Sequence, residues 1–286
     1  MNSLVLRTAF ERVAGRYDQH AALERETGDR LLERLTFLRQ SPDRVLDLGC
    51  GTGVASEQLK QRFEAARVIC LDASPQMLAG VQRRSSPALP LDPLCGDLGA
   101  LPLAARSVDL VFSNLALYWS PDPIRLFAEL RRILRPGAMF LFSTLGTSSM
   151  QELVQAWYGE RAVDDGPAFA DLLELGDALM AAGFSEPVMD TDRITLTYPG
   201  PQALCADLEG TGNSMLFADW SERVGNAGAL ERALAPIEVG GRYPLTFEIV
   251  YGVAYGPPEG QPQRTAEGEV ATFSVDSLLR SRSGKD

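Results

Sequence analysis

The sequence predicts an α/β fold in which a mostly parallel sheet is covered by helices on both faces. Between residues 44 and 144, short apolar segments that suit buried strands alternate with segments that carry apolar residues at helical spacing. The first of these strands runs directly into glycines that open a helix, a junction typical of ligand-binding α/β sheets. With 286 residues the chain can form one sizeable core plus an insertion, so we expect one main domain.

The N-terminal segment is expected to be helical. Apolar residues recur at helical spacing over residues 4–39, which predicts two helices before the first strand. We expect residues 1–40 to form a helical flap over whatever the core binds. The apolar positions include Phe10, Val13, Tyr17, Leu23, Leu31, Leu32, Leu35 and Leu38.

The central segment supplies the alternating strands and helices. Ser74 is expected to cap a helix whose first residue is Pro75, and Pro136 and Gly137 are expected to end the last helix of the series. We predict strands at 44–48, 67–71, around 94, 108–113 and 138–144, and helices at 54–63, after Ser74 and at 123–134.

The second half has a weaker pattern. It indicates helices at 150–158, 171–182 and 201–208 and strands at 190–198 and 245–255. We therefore expect a main domain over 41–256, with a mostly helical cap inserted within about 145–240. Residues 257–286 are rich in Pro, Gly, Gln and charge, which predicts a loosely ordered tail.

Composition excludes several functional classes. The formal net charge of −11 argues against general binding of nucleic acid or of an anionic membrane surface. No apolar run reaches the roughly 20 residues of a membrane helix, and the N-terminus lacks a signal-peptide pattern, so we expect a cytoplasmic protein. His20 is the sole histidine, so we expect no metal site. Reduced core residues are the interpretation for Cys50, Cys70, Cys95 and Cys205.

The glycine-rich turn at 45–53 points to a cationic ligand. The dinucleotide spacing G-x-G-x-x-G fails, because its third glycine falls on Val54 or Ser56. Asp47, just ahead of the glycines, would repel a pyrophosphate, whereas S-adenosylmethionine offers a sulfonium and an ammonium group. We expect Asp47 to hold the ammonium, directly or through water, rather than to be a plain strand-end acid. The glycines that let the backbone approach the ligand are Gly49, Gly51 and Gly53.

Three more strand ends carry polar residues at the edge where open α/β sheets bind ligands. Asp72, about 20 residues after the turn, is expected to accept both ribose hydroxyls, and Asp97 to accept from the adenine amino group. Met77 and Leu98 would lie against the adenine ring, and Asn114 would line the methionine portion. Each of these residues could instead have a structural role. Asp72 could simply precede the residue that caps a helix, and Asp97 and Asn114 could lie in ordinary turns.

These motifs resemble a known family. The string VLDLGCGTG at 45–53, Asp72, and the segments at 96–114 and 131–144 resemble class I S-adenosylmethionine-dependent methyltransferases over roughly residues 40–145. The resemblance implies a Rossmann-like fold and S-adenosylmethionine as the cofactor.

A closer resemblance covers nearly the whole chain, to the malonyl-[acyl-carrier protein] O-methyltransferases of biotin synthesis. This resemblance depends on four parts of the sequence. They are residues 9–10 with residues 17–18, residues 113–116 followed by Trp119, residues 144–145 before residues 152–153, and the string GRYPLT at residues 241–246. It implies methylation of the free carboxylate of a malonyl thioester on acyl-carrier protein or coenzyme A, which masks its charge for elongation toward pimelate. The alternatives are another small acceptor, such as a quinone precursor or a dicarboxylic acid, and a non-methylating, cofactor-binding assembly factor.

The acceptor site needs a cation or a donor for the carboxylate. We predict that Arg242 grips it, because a guanidinium can bind a carboxylate through two hydrogen bonds; the alternative is a hairpin cap or a surface ion pair. Tyr17 is expected to close over the cofactor from the flap or to pack into the core, and Tyr118 and Trp119 to floor the acceptor pocket. His20 is interpreted as structural, since methylation of a carboxylate needs no base.

Carrier docking requires a basic patch on this acidic protein. The candidate arginines could bind an acidic carrier protein, although a solvated helix face explains them as well. They are Arg125, Arg131, Arg132 and Arg135.

Overall fold

The computed structural model describes residues 3–37, 41–159, 166–225, 227–257, 263–265 and 268–270. Seven strands of this part form one sheet. They are β1 (Arg44–Leu48), β2 (Arg67–Asp72), β3 (Asp92–Cys95), β4 (Val108–Asn114), β5 (Leu134–Leu145), β6 (Ser185–Tyr198) and β7 (Tyr243–Tyr255).

The strand order is β3-β2-β1-β4-β5-β7-β6. Strands β1 to β5 pair in parallel, and β7 runs antiparallel to both of its neighbours, β5 and β6. The order reverses at β1, since the chain runs outward to β3 and then returns to β4 on the other side. Ligands of open α/β sheets bind at such a switch point, outside the carboxyl ends of the strands.

Helices connect the strands. The described helices are α1 (Ser3–Val13), α2 (Tyr17–His20), α3 (Ala22–Glu33), α4 (Val54–Arg62), α5 (Pro75–Arg84), α6 (Pro123–Ile133), α7 (Gln151–Tyr158), α8 (Leu172–Ala181), α9 (Pro201–Thr211), α10 (Trp220–Val224) and α11 (Ala227–Leu234).

Both faces of the sheet are covered, as the sequence predicts. Alternate residues of one strand join different apolar clusters: Val45 packs with α3, α4 and α5, whereas Leu46 packs with α6 and α8. The strands are therefore buried on both sides, which explains their nearly continuous apolar sequences. The predicted fold class is confirmed.

Several element boundaries differ from the prediction. The N-terminal segment holds three helices rather than two, because the chain breaks at residues 14–16 and again at Ala21. Pro136 and Gly137 do not end helix α6, which stops at Ile133 and passes directly into β5. Helices α10 and α11 are absent from the prediction. Cys95 is exposed, unlike the other three cysteines, so its assignment to the core was wrong.

The expected cap is divided by a strand of the sheet. Helices α7 and α8 lie between β5 and β6, and α9 to α11 lie between β6 and β7. The expected tail at 257–286 lies outside the described residues, apart from Pro257 and a two-stranded hairpin of residues 263–265 and 268–270. The three-part division of the chain stays a prediction. Within the described part, no helix has the length and apolarity needed to cross a membrane.

Candidate cofactor and acceptor site

A cavity opens at the carboxyl edge of the sheet, beside the switch point. Its volume is about 800 Å³, counted with its open mouth. Of the residues expected to bind the cofactor, seven line it: Gly49, Gly51, Asp72, Met77, Asp97, Leu98 and Asn114.

Asp72 is held at the end of β2 by two backbone donors. The N–H of Gly51 donates to its Oδ2 at 3.0 Å, and the N–H of Ser74 donates to its Oδ1 at 2.8 Å. Ser74 also caps α5 by accepting from the N–H of Met77 at 3.2 Å, as predicted. The carboxylate is thereby fixed between the glycine turn and the start of α5, with its remaining lone pairs available to a ligand.

Asp47 lies in an adjoining cavity, which shares Tyr17, Gly49, Gly51 and Asn114 with the first. Its side chain is buried, and its Oδ2 accepts a hydrogen bond of 2.5 Å from the Ser56 hydroxyl. Burial raises the pKa of Asp47 to about 7, against the lowering effect of that hydrogen bond. Burial likewise raises the pKa of Asp72 to about 6.

Two buried acids with raised pKa values make the paired cavities a favourable environment for a cation. A positive ligand restores the ionised forms that burial disfavours, whereas a pyrophosphate would meet two carboxyl groups beside the glycine turn. The donor and acceptor set therefore fits S-adenosylmethionine, which carries hydroxyls for Asp72 and an ammonium group for Asp47.

The glycine turn allows close approach of the backbone. Gly49 has φ +70°, and a Cβ atom there would lie 2.3 Å from the Cβ of Ala116. Gly53 also has positive φ, but it faces Val81 and lines neither cavity. Its position therefore fits a role in packing α4 against α5, and its predicted cofactor contact stays a prediction.

Asn114 connects the strand end to the N-terminal helices. Its Nδ2 donates to the backbone oxygen of Glu24 at 2.7 Å, and its Oδ1 accepts from the Ser143 hydroxyl at 2.7 Å. Gly28, one turn further along α3, packs against the same amide. Asn114 thus attaches the predicted flap to the carboxyl edge of the sheet.

Aromatic side chains form one wall of the site. Phe10 of α1 packs edge-on against Trp119 at 5.3 Å between ring centroids, and Tyr118 packs on Trp119 at 4.7 Å and on Phe169 at 5.9 Å. Phe10 and Trp119 line the larger cavity, and Tyr17 lines both cavities. The wall offers an apolar surface that excludes water from a buried ligand.

Arg242 lies away from both cavities. It is exposed in the turn before β7, where its guanidinium donates to the backbone oxygen of Thr197 at 3.3 Å. That contact matches the alternative of a hairpin cap. Its grip on an acceptor carboxylate stays a prediction that this placement does not support.

The structure separates the four candidate docking arginines. Arg125 is exposed in the first turn of α6, four residues after Pro121, which lines the larger cavity. Arg132 pairs with Glu129 in the last turn, roughly 10 Å further along the helix. Arg135 pairs with Asp109, and Arg131 lies against Gly183.

Several residues of the site were not predicted from the sequence. Leu6 and Arg7 of α1 line the larger cavity, and Glu24 and Arg25 of α3 line the smaller one. Glu24 had a usable signal, since it shares a helix face with the buried Thr27, Gly28 and Leu31. For Arg7 the sequence holds none, because the placement of α1 on the sheet is a tertiary feature.

His20 is held against helix α9. Its Nδ1 lies 3.6 Å from Oδ1 of Asp207, and a Cβ atom on Gly210 would lie 2.3 Å from its ring. These contacts agree with a structural role. Among the described residues, no group of three or more His, Cys, Asp or Glu side chains could hold a metal ion.

The fold and the paired cavities define a class I methyltransferase that uses S-adenosylmethionine. A family model described as "Methyltransferase domain" matches residues 46–142. Among solved structures, a methyltransferase from Haloferax volcanii, solved in complex with the Trm112 activator, has a TM-score of 0.57 and 24% sequence identity. The match covers 87% of this chain and 97% of the Haloferax chain. A methyltransferase from Bacillus halodurans has TM-score 0.58, is 15% identical and covers 81% and 99%. These likenesses concern the fold.

Relatives of higher identity define the family. A malonyl-[acyl-carrier protein] O-methyltransferase of Gallionella capsiferriformans is 41% identical over 261 residues, 88% of this chain and 90% of the relative. The protein of that name from Halorhodospira halophila is 39% identical over 284 residues, 97% and 95% of the two chains. The chain belongs to the malonyl-[acyl-carrier protein] O-methyltransferase family.

Proposed function

We propose that the protein transfers the methyl group of S-adenosylmethionine to the free carboxylate of a malonyl group on acyl-carrier protein, giving the methyl ester that primes pimeloyl synthesis for biotin. The observation that carries this proposal is the relation to malonyl-[acyl-carrier protein] O-methyltransferases, which extends over 88–97% of the chain. It includes the N-terminal helices and the segment around β7, beyond the cofactor-binding strands. We also propose a cytoplasmic location, where acyl-carrier proteins work.

S-adenosylmethionine supplies an electrophilic methyl group when it is bound. Asp72 would hold the ribose hydroxyls, Asp97 the adenine amino group and Asp47 the ammonium, with Met77 and Leu98 against the adenine ring. Tyr17, supported by the aromatic wall, would cover the reacting atoms from water. The remaining proposed cofactor contacts are Gly49, Gly51 and Asn114.

A carboxylate acceptor explains why the site needs no general base. The malonyl carboxylate is ionised at neutral pH and is itself the nucleophile. One C–S bond breaks as one C–O bond forms, the sulfonium becomes a neutral thioether, and no proton moves. The contribution of the protein is to align the reactants and to exclude water.

The carrier would dock at the mouth of the larger cavity. Arg7 and Arg125 are exposed beside that mouth on a protein of net charge −11, and an acidic carrier would contact them. The Arg125→Ala variant is expected to raise KM for malonyl-acyl-carrier protein several-fold, more strongly at low salt. Arg135→Ala is the matched control, because Arg135 lies in β5, beyond the far end of α6, and pairs with Asp109.

The activity is tested by incubating the protein with S-adenosylmethionine and malonyl-acyl-carrier protein, with acetyl-acyl-carrier protein as control. Intact-mass measurement should show the gain of one methylene on the malonyl carrier alone. Malonyl-coenzyme A in a parallel reaction identifies the preferred carrier. Cofactor binding without methylation of either malonyl thioester would contradict the proposal and favour another acceptor or an assembly factor.

A further inference from the structure

Glu24 places a buried carboxyl group in the smaller cavity. The residue belongs to the first turn of α3, and it lines this cavity together with Tyr17, Asp47 and Asn114. Its Oε2 atom is buried and has no hydrogen-bond partner within the described part of the chain. A buried acceptor or donor left without a partner costs about 1–3 kcal/mol, so an atom in this state points to a ligand.

The backbone around Glu24 fixes the position of this carboxyl group. Its own carbonyl oxygen accepts the hydrogen bond from Asn114, and Gly28 allows α3 to approach that amide closely. Substitution of the Glu24 side chain therefore leaves the attachment of the helix to the sheet intact, which makes the carboxyl group testable on its own.

Glu24 shares the smaller cavity with Asp47 and Asn114, and its charge also acts on tyrosines of the aromatic wall. The charge of Glu24 contributes to raising the pKa values of Tyr17, Tyr118 and Tyr198. The charge of Asp72, by contrast, contributes to raising the pKa of Asp47. The charged and titratable groups linked to Glu24 are Tyr17 on α2, Arg25 on its own helix, Tyr118 after β4, Tyr198 at the end of β6 and Asp207 on α9, which contacts His20. Asp18, Asp47 and Cys50 line the same cavity.

Burial raises the pKa of Glu24 to about 7. A hydrogen bond from its own backbone N–H and the charge of Arg25 oppose this rise, and the charge of Asp207 adds to it. The carboxyl group is therefore protonated in a large fraction of molecules at neutral pH, and a protonated carboxyl is a hydrogen-bond donor. An ionised Glu24 would instead repel a second carboxylate in the same enclosed space.

We propose that Glu24, in its protonated form, donates a hydrogen bond through its unpartnered oxygen to the carboxylate of the acceptor and so orients that carboxylate toward the methyl donor. The inference rests on the proposed function, because it requires an acceptor that is a carboxylate. The proton stays on Glu24 throughout: the acceptor loses its negative charge on becoming an ester, and the hydrogen bond weakens as the product forms. Glu24 is thus an acceptor-binding residue distinct from the cofactor-binding acids.

The test compares Glu24→Gln, Glu24→Ala and the control Glu26→Gln, an exposed acid two residues further along α3. Glutamine keeps a donor but cannot ionise. For the wild type we expect kcat/KM for malonyl-acyl-carrier protein to fall about tenfold per pH unit above the pKa of Glu24. Glu24→Gln should lose this alkaline fall while staying within about tenfold of wild type near pH 7. Glu24→Ala should raise KM by roughly 10–100-fold.

Two binding measurements separate the possible outcomes. Affinity for S-adenosylhomocysteine should be unchanged in both Glu24 variants, and malonyl-acyl-carrier protein should bind the S-adenosylhomocysteine complex of the wild type more weakly as pH rises. Weaker S-adenosylhomocysteine binding with unchanged KM, or an alkaline fall that persists in Glu24→Gln, would overturn the proposal and make Glu24 a cofactor ligand or a structural residue. If the wild type bound malonyl-acyl-carrier protein equally at all pH values but methylated it, the proposed function would stand and this inference would fail.

Discussion

Removal of the Asp72 carboxylate tests the proposed cofactor site most directly. Two ribose hydroxyls donating to one ionised acceptor contribute about 1.5–3 kcal/mol each in favourable cases. Allowing for their dependence on one another, we expect Asp72→Ala to cost about 3 kcal/mol of binding free energy, or roughly a 100-fold rise in the Kd of S-adenosylmethionine. Asp72→Asn keeps one acceptor oxygen and should cost about half as much.

Isothermal titration calorimetry with S-adenosylmethionine measures these constants, and thermal unfolding reports whether each variant is folded. The second measurement is needed because Asp72 also accepts from Gly51 and Ser74. Asp92→Ala is the matched control, since this acid begins β3 at the opposite edge of the sheet and pairs with Arg67. A folded Asp72→Ala variant with wild-type affinity would refute the assignment of the ribose site.

Three further outcomes are expected. Gly49→Ala should abolish cofactor binding and destabilise the fold far more than Gly137→Ala, as judged by thermal unfolding, because both glycines have φ near +70° but only Gly49 lacks space for a Cβ atom. The free energy of unfolding should fall as pH rises from about 4 to 7, since the raised pKa values of Asp47 and Asp72 let the native state hold protons that the unfolded state has released. Cofactor binding should release these protons near pH 6.5, so the binding enthalpy measured by calorimetry should differ between two buffers. A binding enthalpy that is the same in both buffers would contradict this release of protons. Arg242→Ala should leave cofactor affinity unchanged and KM within about threefold, because this exposed side chain lies outside both cavities; a tenfold loss of kcat would restore its predicted role.

Sequence reasoning located the half of the site that is built on strand ends. Asp47, Asp72 and Asn114 each end or adjoin a buried strand, and parallel strands bring their carboxyl ends to one edge whatever the rest of the chain does. The glycine turn adds a local backbone requirement that is readable from a few residues. These features depend on short segments, so a single sequence specifies them.

The half of the site that depends on helix placement was not predictable in the same way. Glu24 and Arg7 reach the cavities only because α1 and α3 pack over the carboxyl edge. Arg242 shows the converse: its turn precedes β7 beyond the carboxyl end of β5, but β5 and β7 separate it from the switch point between β1 and β4. A motif string alone does not reveal that placement, because it is set by two strands that are distant in sequence.

The position of β7 has a consequence for the synthesis of the chain. One edge of β5 stays unpaired until β7 has been synthesised. Leu145 of β5 and its partner Ile249 of β7 are about 100 residues apart in the sequence. At roughly 5–20 residues per second, a nascent chain exposes that edge for about 5–20 s before β7 leaves the ribosome, and β6 is unpaired for the later part of this time. Unpaired strand edges recruit other chains. The yield of native protein during overexpression should therefore depend on translation speed and on chaperones that bind the unpaired strand edges of the incomplete sheet.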